Sequence, residues 1–382
     1  MMTDDYMREE ITFQADLLHR FTEKNITVDI DLSSYDEIWL TGSGDSHCAS
    51  LFGSALGLLF GLPIRALTPM NASYFMDHTQ KKKLLLFAIS VSGKTPRVLE
   101  VVNKVKKHYP VHKTISLTDN PHSALAKQSD HPIILQASPS EVLESSDYKD
   151  GIAKLYTGYH HDVAQTKTFF ANILYLLAIV NPSFFTRTKN MDQSFVNWIE
   201  KAEQVVLQHP ILYPQKTIFI GSGLQESLAQ FGQYKWFEYT FPGQHQDVEE
   251  YAHTHYFTTD EKTTVIFFAP TGPLLDRALE LITGALGNLI KPQMILITDK
   301  AVSMEYDCAV INISDYYENS QGESLLDREL QYYLFALVLL EWYTYHTART
   351  NGFDTNQFRG GADGEKYVRG SYHTIRKSKI NE

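Results

Sequence analysis

Ser90, Ser92 and Thr95 set three hydroxyls around Gly93 within six residues. Pro96 follows and fits the first position of a helix, where its missing N–H costs nothing. Hydroxyls, backbone N–H groups and the positive end of a helix dipole together suit one anion, and a phosphate above all. The plainer reading is a hydroxyl-rich turn between a strand and a helix. A second glycine-rich turn, Gly42-Ser43-Gly44-Asp45-Ser46, offers Ser46 to the same anion. Asp45 would repel a phosphate and is expected to cap the helix that follows. Lys235 and Glu238 stand three apart on a predicted helix and share a face, the spacing of an ordinary surface ion pair. His253 and His255 close the polar run HQDVEEYAHTH at 245–255. Either could act as a general acid or base near neutral pH, whereas His-x-His without further ligand spacing is a weak metal signal.

Two familiar patterns fail on inspection. Ala88, four residues and Gly93-Lys94-Thr95 satisfy the loose form of the nucleotide P-loop, but Ile89 and Val91 prolong the apolar strand and leave too little loop. The turn at 42–46 is not G-x-G-x-x-G, because residue 47 is His. A nucleotide is therefore not expected.

The elements that must hold these residues are readable from periodicity. Residues 1–30 space their apolar side chains as a helix does. Residues 36–41, 64–67, 84–91, 113–118 and 132–136 read as strands, alternating with helices at 47–60 and 96–108. Residues 163–180 and 195–207 read as long helices, and 138–158 as a polar loop. Strands alternating with helices predict a mostly parallel sheet, with both glycine turns at its carboxyl edge. The pattern then restarts. Gly42 and Gly221 stand 179 apart, as do Gly93 and Gly272, and Asp119 and Asp299 stand 180 apart. This predicts two copies of one α/β domain, at about 35–182 and 200–350, after an N-terminal helical segment at 1–34. The second copy reads APTGPL where the first reads SVSGKT, so only the first should bind the anion strongly. The glycine-rich, basic tail at 351–382 keeps Phe353, Phe358, Tyr367, Val368 and Ile375, which predicts that it folds over the site.

Composition narrows the class. The 382 residues are 43% hydrophobic, enough for two packed domains. A net charge of −11 argues against nucleic acid or an anionic membrane as partner. Two cysteines, Cys48 and Cys308, give neither a disulfide framework nor a thiolate metal set and suit a reducing compartment. The acidic N-terminus is not a secretory signal, and the apolar runs at 173–180 and 334–340 are too short to span a bilayer. A soluble, cytoplasmic protein is expected.

These motifs, in this order, resemble the double sugar-isomerase (SIS) domain family. The similarity is greatest to the isomerase half of glutamine–fructose-6-phosphate amidotransferase and to related phosphosugar isomerases and deglycases. It rests on Tyr6 to Ile11 with Gln14, on Gly42 to Ser46, and on the S-x-S-G-x-T loop at 90–95. Val163 to Lys167 is similar to a V-A-S-T-K segment, Lys235 and Glu238 to K-x-x-E, Glu250 to His253 to E-x-x-H, and Arg359 to Lys366 to a C-terminal R…K tail. The resemblance implies two tandem SIS domains, each a parallel five-stranded sheet flanked by helices in three αβα layers. It implies a sugar phosphate held by Ser46, Ser90, Ser92, Gly93 and Thr95, with Gly44, Val163 and His255 against the sugar. Glu238 would move a proton between C1 and C2, assisted by Lys235. His253 would open the ring, often across a homodimer interface, and Lys366 would lie near the carbonyl carbon. No cofactor or metal is implied. Val91, Lys94, Asp45 and Thr254-His255 depart from the family's usual glutamine, glutamate, hydroxyl and Gly-Pro. No glutaminase domain is expected before residue 35. The expected activity is isomerisation, or C–N cleavage of an amino-sugar or fructosamine phosphate; a non-catalytic sugar-phosphate sensor is the alternative.

Overall fold

Two five-stranded, wholly parallel sheets divide the chain in the computed structural model. It describes residues 5–24, 26, 28, 30–137, 165–316, 324–361, 366, 367 and 374. The first sheet contains β1 (Glu37–Thr41), β2 (Ile64–Leu67), β3 (Leu84–Ile89), β4 (Lys113–Thr118) and β5 (His131–Ile134), ordered β2-β1-β3-β4-β5. The second contains β6 (Thr217–Ile220), β7 (Gln244–Gln246), β8 (Thr264–Phe268), β9 (Gln293–Thr298) and β10 (Cys308–Asn312), ordered β10-β9-β8-β6-β7. The second order is the first read from the other edge, so the topology repeats as the landmark spacing predicts.

Every residue of β1 and β3 is buried, which is why both read as continuous apolar runs rather than alternating ones. Their successive side chains serve different cores. Trp39, Leu84, Leu86 and Ala88 pack outward against Val98, Val101, Val102 and Val105 of the helix Pro96–His108. Ile38, Leu40, Leu85 and Phe87 face inward and share one core with Phe219 and Ile266 of the second sheet. The helices Lys167–Val180 and Leu325–Thr350 supply most of the rest of that shared core. The Phe169 and Phe231 rings stack within it at 4.0 Å. The two lobes are thus joined through their inner helical layers. The helix after the first glycine turn, Asp45–Leu59, packs against the helix after the second, Leu224–Glu238.

The register pairs Thr41 with Ala88, so the turns that follow β1 and β3 emerge side by side at the carboxyl edge. Predicted bounds shift slightly. The strand expected to 91 stops at Ile89, leaving Ser90 and Val91 in the turn, and the strand expected at 132–136 is β5. The helix expected from 163 is described from Lys167; Val163 lies outside the described residues. No described helix is long and apolar enough to cross a membrane.

Candidate active site

The anion loop is built tightly. Gly93 has φ +62°, and a Cβ there would come within 2.1 Å of Ser123 Oγ, so only glycine fits. The turn closes with the Gly93 N–H donating to Ser90 O at 2.9 Å. Ser90 Oγ and Thr95 Oγ1 share a hydrogen bond of 2.9 Å, and the Lys94 N–H points to Ser92 Oγ at 3.4 Å. Thr95 is the N-cap of the helix Pro96–His108, yet its side chain bonds none of that helix's N–H groups. Hydroxyls and first-turn N–H groups are therefore gathered in one place, as an anion requires.

Beside it, Gly44 is the N-cap of the helix Asp45–Leu59, with φ +59°, and Ser46 lies nearly buried in the first turn. The expectation that Asp45 caps this helix is corrected. Asp45 is its first residue, and its carboxylate Oδ2 accepts a 2.8 Å hydrogen bond from Lys235 Nζ instead. As the first helical residue rather than the one before it, Asp45 is not placed to cap the helix, and its carboxylate reaches the buried ammonium of the other lobe.

That ammonium organises the centre. Lys235 is wholly buried, lies over the Phe231 ring at 5.0 Å, and donates to Glu238 Oε1 and Oε2 at 2.9 and 3.0 Å. It also donates to the Gln165 carbonyl at 3.1 Å. The surface ion pair suggested by i,i+3 spacing is instead a buried cation serving two carboxylates, each about a quarter exposed (25% for Asp45, 23% for Glu238). Burial works against the Lys235 charge, but Asp45 and Glu238 outweigh it and hold the ammonium above its ordinary range. Burial pushes the Glu238 carboxyl up to about 8; Lys235 opposes this and Asp45 adds to it. One cation cannot fully satisfy two carboxylates, so Glu238 is poised to accept a proton near neutral pH.

A second polar layer lies behind. Glu10 Oε1 pairs with Lys167 Nζ at 2.8 Å, and its Oε2 accepts from the Thr166 and Lys167 N–H groups at 3.1 and 3.2 Å. The N-terminal helix Tyr6–Thr12 thereby fixes the start of the helix Lys167–Val180, next to the Gln165 carbonyl that Lys235 uses. Gln14 Nε2 donates to Glu341 Oε2 at 2.5 Å. Burial pushes the Glu341 carboxyl well above its usual range, with Gln14 and Lys235 opposing the rise and Glu10 and Asp45 adding to it. Glu341 went unnoticed in the sequence. A lone carboxylate amid the apolar residues of 330–345 was the available signal.

His253 is exposed at the end of the helix Val248–His253, while His255 Nδ1 meets Gln246 Nε2 at 3.0 Å. No described hydrogen bond or ion pair joins either histidine to Lys235, Asp45 or Glu238. Phe353 packs on Tyr239 and Phe241, and the Tyr239 hydroxyl donates to the Thr355 carbonyl at 3.0 Å. The start of the tail therefore sits against the residue that follows Glu238. Lys366 is exposed near the Tyr367 ring, on which Arg359 stacks at 3.9 Å. Among the described residues no group of three or more His, Cys, Asp or Glu side chains is set to hold a metal.

Residues 31–149, which contain the turns after β1 and β3, match the SIS domain. That stretch of the chain is a SIS domain. Over 149 residues it is 32% identical to the glutamine–fructose-6-phosphate aminotransferase (isomerizing) of Sulfolobus acidocaldarius, a match spanning 39% of this chain but only 21% of that relative's length. The tandem SIS fold extends further. The tagatose-6-phosphate ketose/aldose isomerase of Escherichia coli superposes with a TM-score of 0.71 at 17% identity, covering 92% of this chain and 95% of that one. The glucosamine-6-phosphate deaminase of Thermotoga maritima gives 0.61 at 16% identity, covering 91% and 95%. At such identities these structures show the fold of this chain, two α/β lobes in tandem.

Proposed function

We propose that this protein is an enzyme acting at C1/C2 of a phosphorylated sugar, with Glu238 as the base. The observation that carries the reading is the Lys235 bridge. It ties Glu238, on the second lobe, to Asp45 in the first lobe's turn, one residue from Ser46 and beside the Ser90–Thr95 loop. This contact between the lobes supports an anion anchor and a proton acceptor serving one ligand. Ser46, Ser90, Ser92, Thr95 and the N–H groups around Gly93 hold the phosphate. Glu238 removes a proton from the carbon beside the carbonyl, giving an enediol-like species. Returning that proton to the neighbouring carbon completes an aldose–ketose exchange, and the same first step begins the release of an amine where the sugar carries one. Lys235 keeps Glu238 aimed and holds its charge.

The family resemblance extends this proposal to a homodimer, in which the exposed His253 would serve the other subunit's site. Sedimentation at micromolar concentration tests that arrangement, and a monomer would remove it. The enzymatic reading is tested by a thermal-shift screen of sugar phosphates and amino-sugar phosphates. Each stabilising ligand is then assayed for ketose, aldose, ammonia or amine. A phosphorylated sugar is expected to raise Tm and to turn over, while its unphosphorylated counterpart does neither. Stabilisation without any turnover would leave a binding protein in place of the enzyme.

A further inference from the structure

Glu10 belongs to neither sheet. It stands on the N-terminal helix Tyr6–Thr12, is 4% exposed, and engages both of its carboxylate oxygens. Oε1 pairs with the nearly buried Lys167 Nζ at 2.8 Å, and Oε2 accepts the N–H groups of Thr166 and Lys167 at 3.1 and 3.2 Å. Those N–H groups open the helix Lys167–Val180. Its N-cap, Thr166, makes no side-chain cap bond and keeps its hydroxyl buried without a described partner. A carboxylate 156 residues away in sequence does the capping instead.

The capped peptide has a second end. The Thr166 N–H and the Gln165 carbonyl belong to one peptide unit, and that carbonyl accepts from Lys235 Nζ at 3.1 Å. A trans peptide group is planar and stiff, with N–H and C=O pointing opposite ways, and no described peptide bond here is cis. Holding the N–H therefore sets the direction of the carbonyl. The charge on Glu10 also polarises the unit and makes the carbonyl a stronger acceptor. Lys235 depends on it. An ammonium has three N–H groups, and those of Lys235 meet three described partners: Asp45 at 2.8 Å, the Gln165 carbonyl at 3.1 Å, and Glu238 at 2.9 and 3.0 Å. With all three in place the ammonium cannot turn without breaking a bond. Should the carbonyl swing away, one N–H of a wholly buried lysine loses its acceptor.

We propose that Glu10 is a positioning residue, a role that rests on Glu238 being the base. Through the Gln165–Thr166 peptide it locks the Lys235 ammonium, and Lys235 in turn keeps Glu238 aimed.

The test separates aiming from folding. Glu10→Leu with Lys167→Met replaces the ion pair by apolar side chains, an exchange that commonly leaves stability intact, and removes the acceptor from the Thr166 N–H. Glu10→Gln with Lys167→Met is equally uncharged but returns an oxygen to that N–H. Turnover is measured in the full chain with fructose 6-phosphate, tagatose 6-phosphate and glucosamine 6-phosphate. The Lys235 ammonium is observed by NMR of lysine-labelled protein at pH 7, its signal identified by its loss in Lys235→Met. Glu10→Leu/Lys167→Met should lower kcat about tenfold at unchanged KM, since the phosphate loop is untouched, and should broaden the Lys235 signal beyond detection. Glu10→Gln/Lys167→Met should regain most of kcat and the signal. Unchanged kcat and signal in Glu10→Leu/Lys167→Met overturn the proposal. So does a loss that Glu10→Gln/Lys167→Met fails to regain, which would mark Glu10 as structural only. Should Glu10→Leu/Lys167→Met not fold, Glu10→Asp takes its place: it keeps a charge beside Lys167 but falls one methylene short of the peptide. The same loss of kcat and signal is then expected, and an unaltered signal overturns the proposal. If the unaltered protein turns over no phosphosugar, the role in catalysis falls with the enzyme, while the ammonium signal still tells a clamp from none.

Discussion

Gly44 and Gly223 end the first turn of their lobes with nearly the same backbone, φ 59° and ψ −131° against φ 62° and ψ −124°, and each opens a 15-residue helix. The turns after the third strands diverge. In the first lobe the hydroxyls of Ser90, Ser92 and Thr95 bond one another or a loop N–H, and Asp119 Oδ1 accepts the Ala137 N–H at 2.8 Å. In the second lobe the equivalent Asp299 takes both the N–H and the hydroxyl of Thr271, at 2.5 and 2.7 Å. A carboxylate thus occupies the donors that an incoming anion would need. The same strand order and the same opening turn can therefore carry different side chains, one lobe a cluster of hydroxyls open at a helix start and the other a buried lysine beside a carboxylate, to which we assign the anion anchor and the proton acceptor. The difference lies in a handful of side chains on a shared backbone.

The sharpest way to break this division is at the last position of the two paired helices, Glu238 in one and Leu59 in the other. Glu238→Gln is expected to lower kcat by about a thousandfold while ligand binding persists, whereas Leu59→Ala changes kcat less than twofold. Steady-state kinetics beside a thermal-shift titration decides it, and a Glu238→Gln protein that still turns over removes this residue from the chemistry.

Lys235→Met comes next. It strands two carboxylates, and because each is a quarter exposed the loss should be about 2 kcal/mol, below the 3–5 kcal/mol typical of a fully closed pair. Urea unfolding reads this; an unchanged midpoint would mean the bridge does not hold the lobes.

The two turns after the third strands separate more gently. Ser92→Ala should weaken binding of a phosphorylated sugar by about tenfold, the worth of one hydrogen bond to a charged group. Thr271→Ala should leave it alone. Equal effects in a binding titration would erase the distinction between the lobes.

The smallest expected effect is a displacement on the pH axis. Glu238 must be ionised to take a proton, and its carboxyl is raised to about 8, so kcat should climb as pH passes through that value. Asp45 contributes to the rise, so Asp45→Asn should move the limb to lower pH. The sign for stability is opposite. A carboxyl raised in the folded state favours folding below its ordinary pKa of 4.5, and that contribution is lost as pH climbs through 8. A pH–kcat profile with its limb unmoved in Asp45→Asn would discard Asp45 as a cause.

Much of this was legible beforehand because it is local. The loop Ser90–Thr95, the glycine turns and the repeat all lie in short stretches whose residue types dictate backbone and donors. The Lys235–Glu238 spacing was also visible, though not its burial. Asp45 misled because its partner stands 190 residues away, and nothing within one turn announces a contact across two lobes. Glu10 and Lys167 escaped pairing for the same reason, and Glu341 because a single acid inside an apolar helix looks like an interruption rather than a member of a cluster.

The bonds between the two ends of the described chain carry a further consequence. Arg349 donates to Asp5 Oδ2 at 3.0 Å, Gln14 meets Glu341, and the Tyr6 N–H donates to Asn356 Oδ1 at 2.9 Å. On a ribosome, the segment that later steadies Lys167 emerges some three hundred residues before the helix it must dock against. The first sheet can form early, but its polar floor stays open to water until translation is nearly done. Nascent chains stalled midway should therefore hold a folded sheet and no working centre.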